Sequence, residues 1–160
     1  MSQTKTELIN KIVKAFKNVP HPGRKIGDLE ELRKWTKLKR DDVTFEDANE
    51  SIIFFSHKAL HYFLPAFLIH ILNHPDKVDH YRIISNLREY DGVPPRPNPK
   101  LCESFSEEQR QIIVEFLEYY QQQFIVLPSE DEIANWSIAL KNYNSRIEEN
   151  EKMKEYWMYC

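Results

Sequence analysis

The sequence predicts an all-α protein that folds as a single compact domain over residues 1–160. Three observations support this prediction. Apolar residues recur at helical spacing in most segments, and capping-box patterns precede long apolar stripes. In addition, only one short run, residues 52–55, is β-branched and aromatic enough for a strand. The composition, 41% hydrophobic and 29% charged, suits one globular domain. We expect about six or seven helices, with a kinked central helix and a long C-terminal helix.

The N-terminal part of the chain predicts two amphipathic helices and a short turn. The first helix, residues 4–18, has apolar residues on one side and lysines on the other, and it stops at the proline-rich segment 20–22. A second helix begins at Asp28, whose carboxylate can cap it. Thr44 is a candidate cap for one short helical turn. Residues 52–55 have no second strand to pair with, so we expect a buried extended link there.

The central segment is the most apolar part of the chain. Ser56 is placed to cap a helix over residues 59–72, and Pro65 lies inside this helix. Proline lacks an N–H group and clashes with the preceding turn. The pattern therefore predicts either one kinked helix or two helices that meet near Leu64.

A short helix and a proline-rich loop follow. The helix begins after residues 74–76 and ends by Gly92. Residues 93–99 contain four prolines and should form an extended loop on the surface. Loops of this kind often carry binding sites, although a plain connector is the alternative.

The C-terminal third predicts two longer helices. Ser106 opens a capping box before a wide apolar stripe, and Ser129 opens a second one before apolar residues spaced alternately three and four apart. From Glu148 onward the residues are nearly all charged, so we expect the helix end, residues 148–160, to leave the body. Its apolar tail, residues 156–159, either folds back onto the body or docks on another chain.

The predicted core consists of large apolar residues on these stripes. They are Phe16, Leu32, Trp35, Phe54, Leu60, Phe63, Phe67, Ile71, Ile84, Ile113, Phe116 and Leu117.

The charge distribution bears on the class of partner. A net charge of -3 and a pI near 6.1 argue against a nucleic-acid-binding protein, which would need to neutralise phosphates. Residues 1–100 carry 17 basic and 13 acidic side chains, whereas residues 101–160 carry 5 and 12. An acidic C-terminal third could guide a basic partner protein to its surface, although glutamate-rich helix faces are usually only solvated.

The N-terminus and the cysteines bear on the compartment. The first ten residues lack the features of a secretory signal, and no apolar run reaches the ~20 residues that span a bilayer, so we expect a cytoplasmic protein with no membrane contact. Cys102 and Cys160 are too few for a disulfide framework and have no zinc-ligand spacing. Both are expected to be free thiols, with Cys102 buried.

The histidines are the one chemically suggestive set. His57 and His61 are four residues apart, as are His70 and His74, and Asp79 follows, so these five residues are candidate metal ligands. In the plainer interpretation the histidines lie at core edges and helix ends. The chain has no GxSxG elbow and no glycine-rich phosphate loop, so we predict no catalytic residues and no cofactor.

Two groups of residues are candidates for protein interaction. They are the loop prolines Pro94, Pro95 and Pro97 and the aromatic residues Tyr156, Trp157 and Tyr159 near the chain end. We therefore expect a non-catalytic interaction or regulatory protein, comparable to a toxin-immunity protein, with an unidentified protein partner that is basic if charge guides it. One alternative is a metal-dependent enzyme or metal-binding protein that uses the histidines. Another is a homodimer held by the C-terminal helix.

Two motifs also suggest a relationship to a known family. Ala15-Phe16-x-x-Val19-Pro20-x-Pro22-Gly23 and the run Tyr62 to Leu68, which reads aromatic, aromatic, Leu-Pro-Ala, aromatic, Leu, together resemble a family of small bacterial proteins of unknown function. The resemblance covers roughly residues 8–120. It implies a bacterial cytoplasmic protein in which the Pro65 kink belongs to the fold, and it brings no catalytic residues. The acidic C-terminal helix looks like an addition to this family.

Overall fold

The computed structural model describes residues 3–27, 30–50, 55–87, 100–127, 129 and 135–160. Within these residues all regular structure is helical, which confirms the predicted all-α fold. The α-helices span Lys5–Ala15 (α1), Phe45–Ala48 (α2), His57–Asn73 (α3), His80–Ser85 (α4), Glu107–Phe124 (α5) and Trp136–Met158 (α6). Three 3-10 helices span Glu30–Thr36 (η1), Arg40–Asp42 (η2) and Leu101–Ser104 (η3). No helix in these ranges is long and apolar enough to cross a membrane.

Local capping explains where several helices begin. The side chains of Thr44, Ser56 and Ser106 each accept a hydrogen bond from the backbone N–H three residues later, as predicted. At α2 and α5 the side chain of this third residue also accepts a hydrogen bond from the cap N–H, which completes a capping box. These hydrogen bonds satisfy N–H groups that have no partner inside the helix.

The central helix α3 is buried along most of its length. It runs unbroken from His57 to Asn73 through Pro65, so the one-helix alternative is confirmed. Leu64 and Leu68 are fully buried on either side of the proline. Burial of apolar residues around the helix offsets the hydrogen bond that Pro65 cannot make.

The region between α1 and α3 differs from the predicted second α-helix. Residues Glu30–Thr36 form a 3-10 helix, while Asp28, the predicted cap, lies outside the described residues. Trp35 is nevertheless buried, with its ring 5.0 Å from that of Phe63. A 3-10 helix has tighter turns and poorer hydrogen bonds than an α-helix, so packing of this side chain is the main stabilising contact that we identify here. The predicted link at 52–55 is described only at Phe55, which is buried.

All the predicted core residues whose side chains are described are buried, while Leu32 and Phe54 lie outside the described side chains. The core joins α1, α3, α4, α5 and the end of α6. Residues 88–99, which include the predicted proline-rich loop, also lie outside the described residues.

The C-terminal helix packs on the body to its last turn, so the expectation that residues 148–160 leave the body is wrong. Asn150, Met153 and Trp157 are buried. They lie three and four residues apart and so share one helix face, while the charged residues between them occupy the other faces. Asn150 donates to the Leu117 carbonyl at 3.0 Å, while Tyr156 lies near Cys102, so α6 runs antiparallel to α5.

The expectation of two free thiols is also wrong. Cys102 and Cys160 form a disulfide with Cα atoms 6.0 Å apart, although 58 positions separate them in the sequence. The antiparallel return of α6 along α5 places the residues after Met158 beside η3. Cysteine spacing alone does not reveal this proximity, because it arises from helix packing.

Candidate functional site

A cleft of about 510 Å³ lies between three segments of the described chain. These are the loop after α1, the first turns of α3, and the end of η3. The lining residues are Val19, Pro20, His21, Pro22, Lys25, Lys58, His61 and Ser104. We call this site the cationic cleft, because its charged lining residues are lysines.

The loop wall of the cationic cleft is held by local hydrogen bonds. His21 donates its Nε2–H to the Leu38 carbonyl at 2.9 Å and accepts the Gly23 N–H at Nδ1, also at 2.9 Å. Gly23 has φ of 63°, a left-handed conformation that favours glycine. The Lys25 N–H then donates to the Pro22 carbonyl at 3.1 Å and closes a turn. These contacts orient both the imidazole and the Lys25 backbone.

His61 on α3 is held from the other side of the cleft. Its Nε2 lies 2.8 Å from Gln109 Oε1. The same oxygen accepts the Ser106 N–H, while the Gln109 Nε2 donates to the Ala15 carbonyl at 3.0 Å. This network fixes the amide orientation, so His61 Nε2 must be the donor. One glutamine therefore links α1, α3 and the start of α5 behind the cleft.

The surroundings of His61 favour its neutral form. Burial lowers the pKa of His61, the Gln109 hydrogen bond opposes this shift, and the positive charge of Arg40 lowers the pKa further. The imidazole ring lies 4.4 Å from the Phe105 ring, centroid to centroid. At neutral pH His61 thus adds hydrogen-bonding groups to the cleft rather than charge.

Positive charge in the cleft comes from Lys25 and Lys58, both exposed. No carboxylate is among the described lining residues, and neither ammonium forms an ion pair within the described part of the chain. Two lysines without a described ion-pair partner attract anions to this concave surface, although the net charge of -3 on the protein as a whole opposes that attraction. The chemistry of the cleft therefore suits carboxylate or phosphate groups.

The two motifs that carry the resemblance meet beside this cleft. The ring centroids of His21 and Tyr62 are 4.8 Å apart. Arg40 Nη1 donates to the Phe16 carbonyl at 2.9 Å and to the Tyr62 carbonyl at 3.3 Å. One guanidinium thus connects the start of the first motif to the start of the second.

A second cleft, of about 260 Å³, lies between α1, η2 and α3. It is lined mainly by apolar side chains together with Arg40, Asp41 and His70. Because these charges have both signs, the cleft has no single preference for cations or anions, and we do not consider it the candidate site.

The structure does not gather the five candidate metal ligands His57, His61, His70, His74 and Asp79 into one site. His70 donates to the Val43 carbonyl at 2.6 Å, and its ring stacks 5.7 Å from that of His74. Asp79 caps α4 by accepting the Arg82 N–H at 3.2 Å. Within the described ranges no group of three or more His, Cys, Asp or Glu residues could hold a metal ion. Of the five, only His61 lies among the lining residues of the cationic cleft.

The predicted interaction residues also lie apart from the cleft. Pro94, Pro95 and Pro97 are outside the described residues. Tyr156 is half-buried, and its hydroxyl accepts the Cys102 N–H at 3.2 Å. Trp157 is buried with its ring 4.9 Å from that of Phe105, whereas Tyr159 is 78% exposed. Most of the predicted aromatic cluster therefore holds α6 in place.

A polar cluster on the other side of α5 connects three helices. Tyr120 and His80 Nδ1 share a hydrogen bond, and Arg146 donates to the Tyr120 hydroxyl at 3.5 Å. Burial raises the pKa of Tyr120 and lowers that of His80, so both side chains are neutral near pH 7. The adjoining cavity measures only about 20 Å³, which is room for one water molecule. This cluster ties α4, α5 and α6 together.

Sequence reasoning missed His21, Lys25 and Lys58 as site residues. Lys25 follows the rigid Pro20–Pro22 segment, which was a usable signal, because a basic residue on a restrained loop is well placed for binding. Lys58 carries no such signal, since an exposed lysine in the first turn of a helix is ordinary. Its proximity to Lys25 arises only from the position of α3.

The chain matches a known protein family over almost its whole length. A model of the family described as a family of unknown function, DUF6714, matches residues 4–159. The matched segment includes α6, so this helix falls within the family and is not an addition to it. No protein of curated function and no solved structure is similar to the chain.

Proposed function

We propose that this chain, which belongs to the DUF6714 family of unknown function, is a non-catalytic interaction protein. In this proposal the cationic cleft binds an acidic segment of a partner protein. The observation that carries the proposal is the pair of lysines, Lys25 and Lys58, over a cleft without a described carboxylate. A volume of about 510 Å³ suits a few residues of an extended peptide.

The histidines of the cleft support binding rather than reaction chemistry. His21 uses both ring nitrogens to hold backbone groups, and His61 uses Nε2 to hold Gln109. These rings are therefore engaged in positioning the walls. A preformed wall reduces the entropy cost of ordering side chains when a ligand binds.

This proposal has an acidic partner, whereas the charge distribution along the sequence predicted a basic one. Helix α6 carries four acidic and four basic side chains, so it is neutral overall. Glu148 pairs with Lys152, and Glu151 pairs with Lys154. The charged C-terminal helix thus gives little attraction for a basic protein, whereas the cleft concentrates charge of one sign. The immunity-like role, the bacterial origin and the cytoplasmic location stay predictions.

The test is binding of a fluorescein-labelled peptide of ten glutamates to the full-length protein, measured by fluorescence anisotropy at low and moderate salt. The variant Lys25→Glu/Lys58→Glu should weaken binding by about tenfold or more. The matched control, Lys5→Glu/Lys141→Glu, changes the net charge equally at exposed lysines outside the cleft. Binding of the unaltered protein should also weaken as salt screens the charges.

Three outcomes would count against the proposal. The control variant could lose as much affinity as the cleft variant, which would show that net charge alone matters. A ten-residue lysine peptide could bind as tightly as the glutamate peptide. Finally, inorganic phosphate could shift the NMR signals of the cleft while the peptide does not, which would indicate a small-anion site.

A further inference from the structure

The Cys102–Cys160 disulfide joins two segments that differ in accessibility. Cys102, in η3, is fully buried. Cys160 follows the last turn of α6 and is exposed. A soluble thiol can therefore approach the disulfide from the Cys160 side.

The segment held by this disulfide forms one wall of the cationic cleft. Ser104, two residues after Cys102, lines the cleft. The ring of Phe105 lies 4.4 Å from that of His61 and 4.9 Å from that of Trp157. Phe105 thus contacts both a cleft histidine and the end of α6.

Within the described residues, η3 packs on α3, buries the Leu101 side chain and is also tied to α6. It has only four residues, and a 3-10 helix of this length has little stability of its own. Its N-terminal part is attached to α6 through the disulfide and the hydrogen bond from the Cys102 N–H to Tyr156. At its other end, the Phe105 carbonyl accepts a hydrogen bond from Arg110 at 2.7 Å. The link to α6 therefore helps to set the position of Ser104, together with the packing of η3 on α3.

We propose that the Cys102–Cys160 disulfide is a reversible clasp that positions the η3 wall of the cationic cleft, so that its reduction weakens ligand binding. This inference rests on the proposed function, because it concerns regulation of the same cleft. An oxidising environment closes the clasp, and a reducing environment opens it.

The step is a thiol–disulfide exchange with a dithiol reductant. A thiolate of the reductant attacks the sulfur of the exposed residue Cys160, and the Cys102 thiolate leaves and takes up a proton. The second thiol of the reductant then breaks the mixed disulfide and releases the Cys160 thiol. The protein gains two electrons and two protons, and the dithiol becomes a disulfide.

The test compares the oxidised protein with the dithiothreitol-reduced protein, both with residues 1–160. Thiol titration should find no free thiol in the oxidised form and two in the reduced form. Reduction should weaken binding of the ten-glutamate peptide about fivefold or more. It should also shift the NMR signals of Ser104, Phe105 and the His61 ring more than those of Ile138 and Ala139, at the opposite end of α6. Reoxidation with glutathione disulfide should restore both. The variant Cys160→Ser should bind the peptide as weakly as the reduced protein does, and the reductant should not change its affinity.

The outcomes separate this inference from the proposed function. Equal peptide affinity in both redox states, with unmoved signals in the cleft, overturns the clasp and leaves the cleft as a binding site. Failure of the peptide to bind either form counts against the proposed function. In that case the signals of Ser104 and His61 still decide whether the disulfide positions the wall. A lower melting temperature with unmoved cleft signals would indicate a purely stabilising disulfide, which also overturns the clasp.

Discussion

Replacement of Trp157 by alanine should destabilise the protein strongly, although the residue lies in the last turn of α6. Its side chain is only 1% exposed and packs edge-on against Phe105, with ring centroids 4.9 Å apart. It also lies beside Tyr156, at 5.5 Å between centroids. The variant would remove the ring contact between the end of α6 and Phe105, the residue that follows η3.

The expected magnitude follows from two opposing effects. Truncation of a buried tryptophan to alanine typically costs about 3–5 kcal/mol. However, the Trp157 Nε1–H is buried and has no hydrogen-bond partner among the described residues. Removing this group recovers about 1 kcal/mol of desolvation penalty. We therefore expect the free energy of unfolding to fall by about 2–4 kcal/mol.

The assay is urea denaturation of the oxidised protein, followed by far-UV circular dichroism, because the variant removes a fluorophore. The matched control is Tyr159→Ala, whose side chain is 78% exposed and which should change stability by about 0.5 kcal/mol or less. The conservative variant Trp157→Phe keeps an aromatic ring against Phe105 and should cost less than the alanine variant. The slope of free energy against urea should stay constant across the set.

A clear result would refute this reasoning. If Trp157→Ala and Tyr159→Ala destabilise the protein equally, burial of Trp157 at the end of α6 does not stabilise the folded state. The same result would undermine the link between α6 and η3 on which the clasp depends.

Two further predictions concern His61 and Asn150. Because burial, reinforced by Arg40, lowers the folded-state pKa of His61 below its ordinary value of 6.5, the unfolded chain binds more protons as pH falls. The free energy of unfolding should therefore be highest above about pH 7 and decline toward pH 5. In the His61→Gln variant this decline should be less steep. If urea titrations give parallel curves of unfolding free energy against pH for the two proteins, the assignment is wrong. Asn150 is buried and donates to the Leu117 carbonyl and to Gln121 Oε1, so Asn150→Ala should cost about 1–2 kcal/mol, whereas the exposed control Asn144→Ala should stay within about 0.5 kcal/mol. Equal losses in the two asparagine variants would show that Asn150 does not hold α6 to α5.

The local parts of the fold could be predicted from the sequence. The caps at Thr44, Ser56 and Ser106 were found because a cap hydrogen bond joins atoms only three residues apart. The apolar stripe of α5 was found for a similar reason, since residues three and four apart share a helix face. The second predicted helix was assigned the wrong type, because apolar spacing around Trp35 does not distinguish an α-helix from a 3-10 helix.

The candidate site could be predicted only in part. His61 was singled out as a metal ligand because of its spacing from His57, but the structure places its ring against Phe105 and its Nε2 on Gln109. A spacing of four residues indicates that two side chains share a helix face. It carries no information about the residue, 48 positions away, that faces them. The role of His61 was therefore misjudged, although the residue was correctly noticed.

The sequence by itself determined the all-α class, the starts of α2, α3 and α5 and most of the residues that enter the core, because these depend on hydrogen bonds and side-chain spacing within one turn. It did not find the start of α6, which begins at Trp136 and not after the predicted cap Ser129. Only the tertiary structure decided that α6 returns along α5, that Cys160 meets Cys102, and that Lys58 faces the same cleft as Lys25. These contacts depend on how helices pack through the shapes of many side chains. Helical periodicity identifies the face that packs, but it does not identify the partner or the direction in which that partner runs.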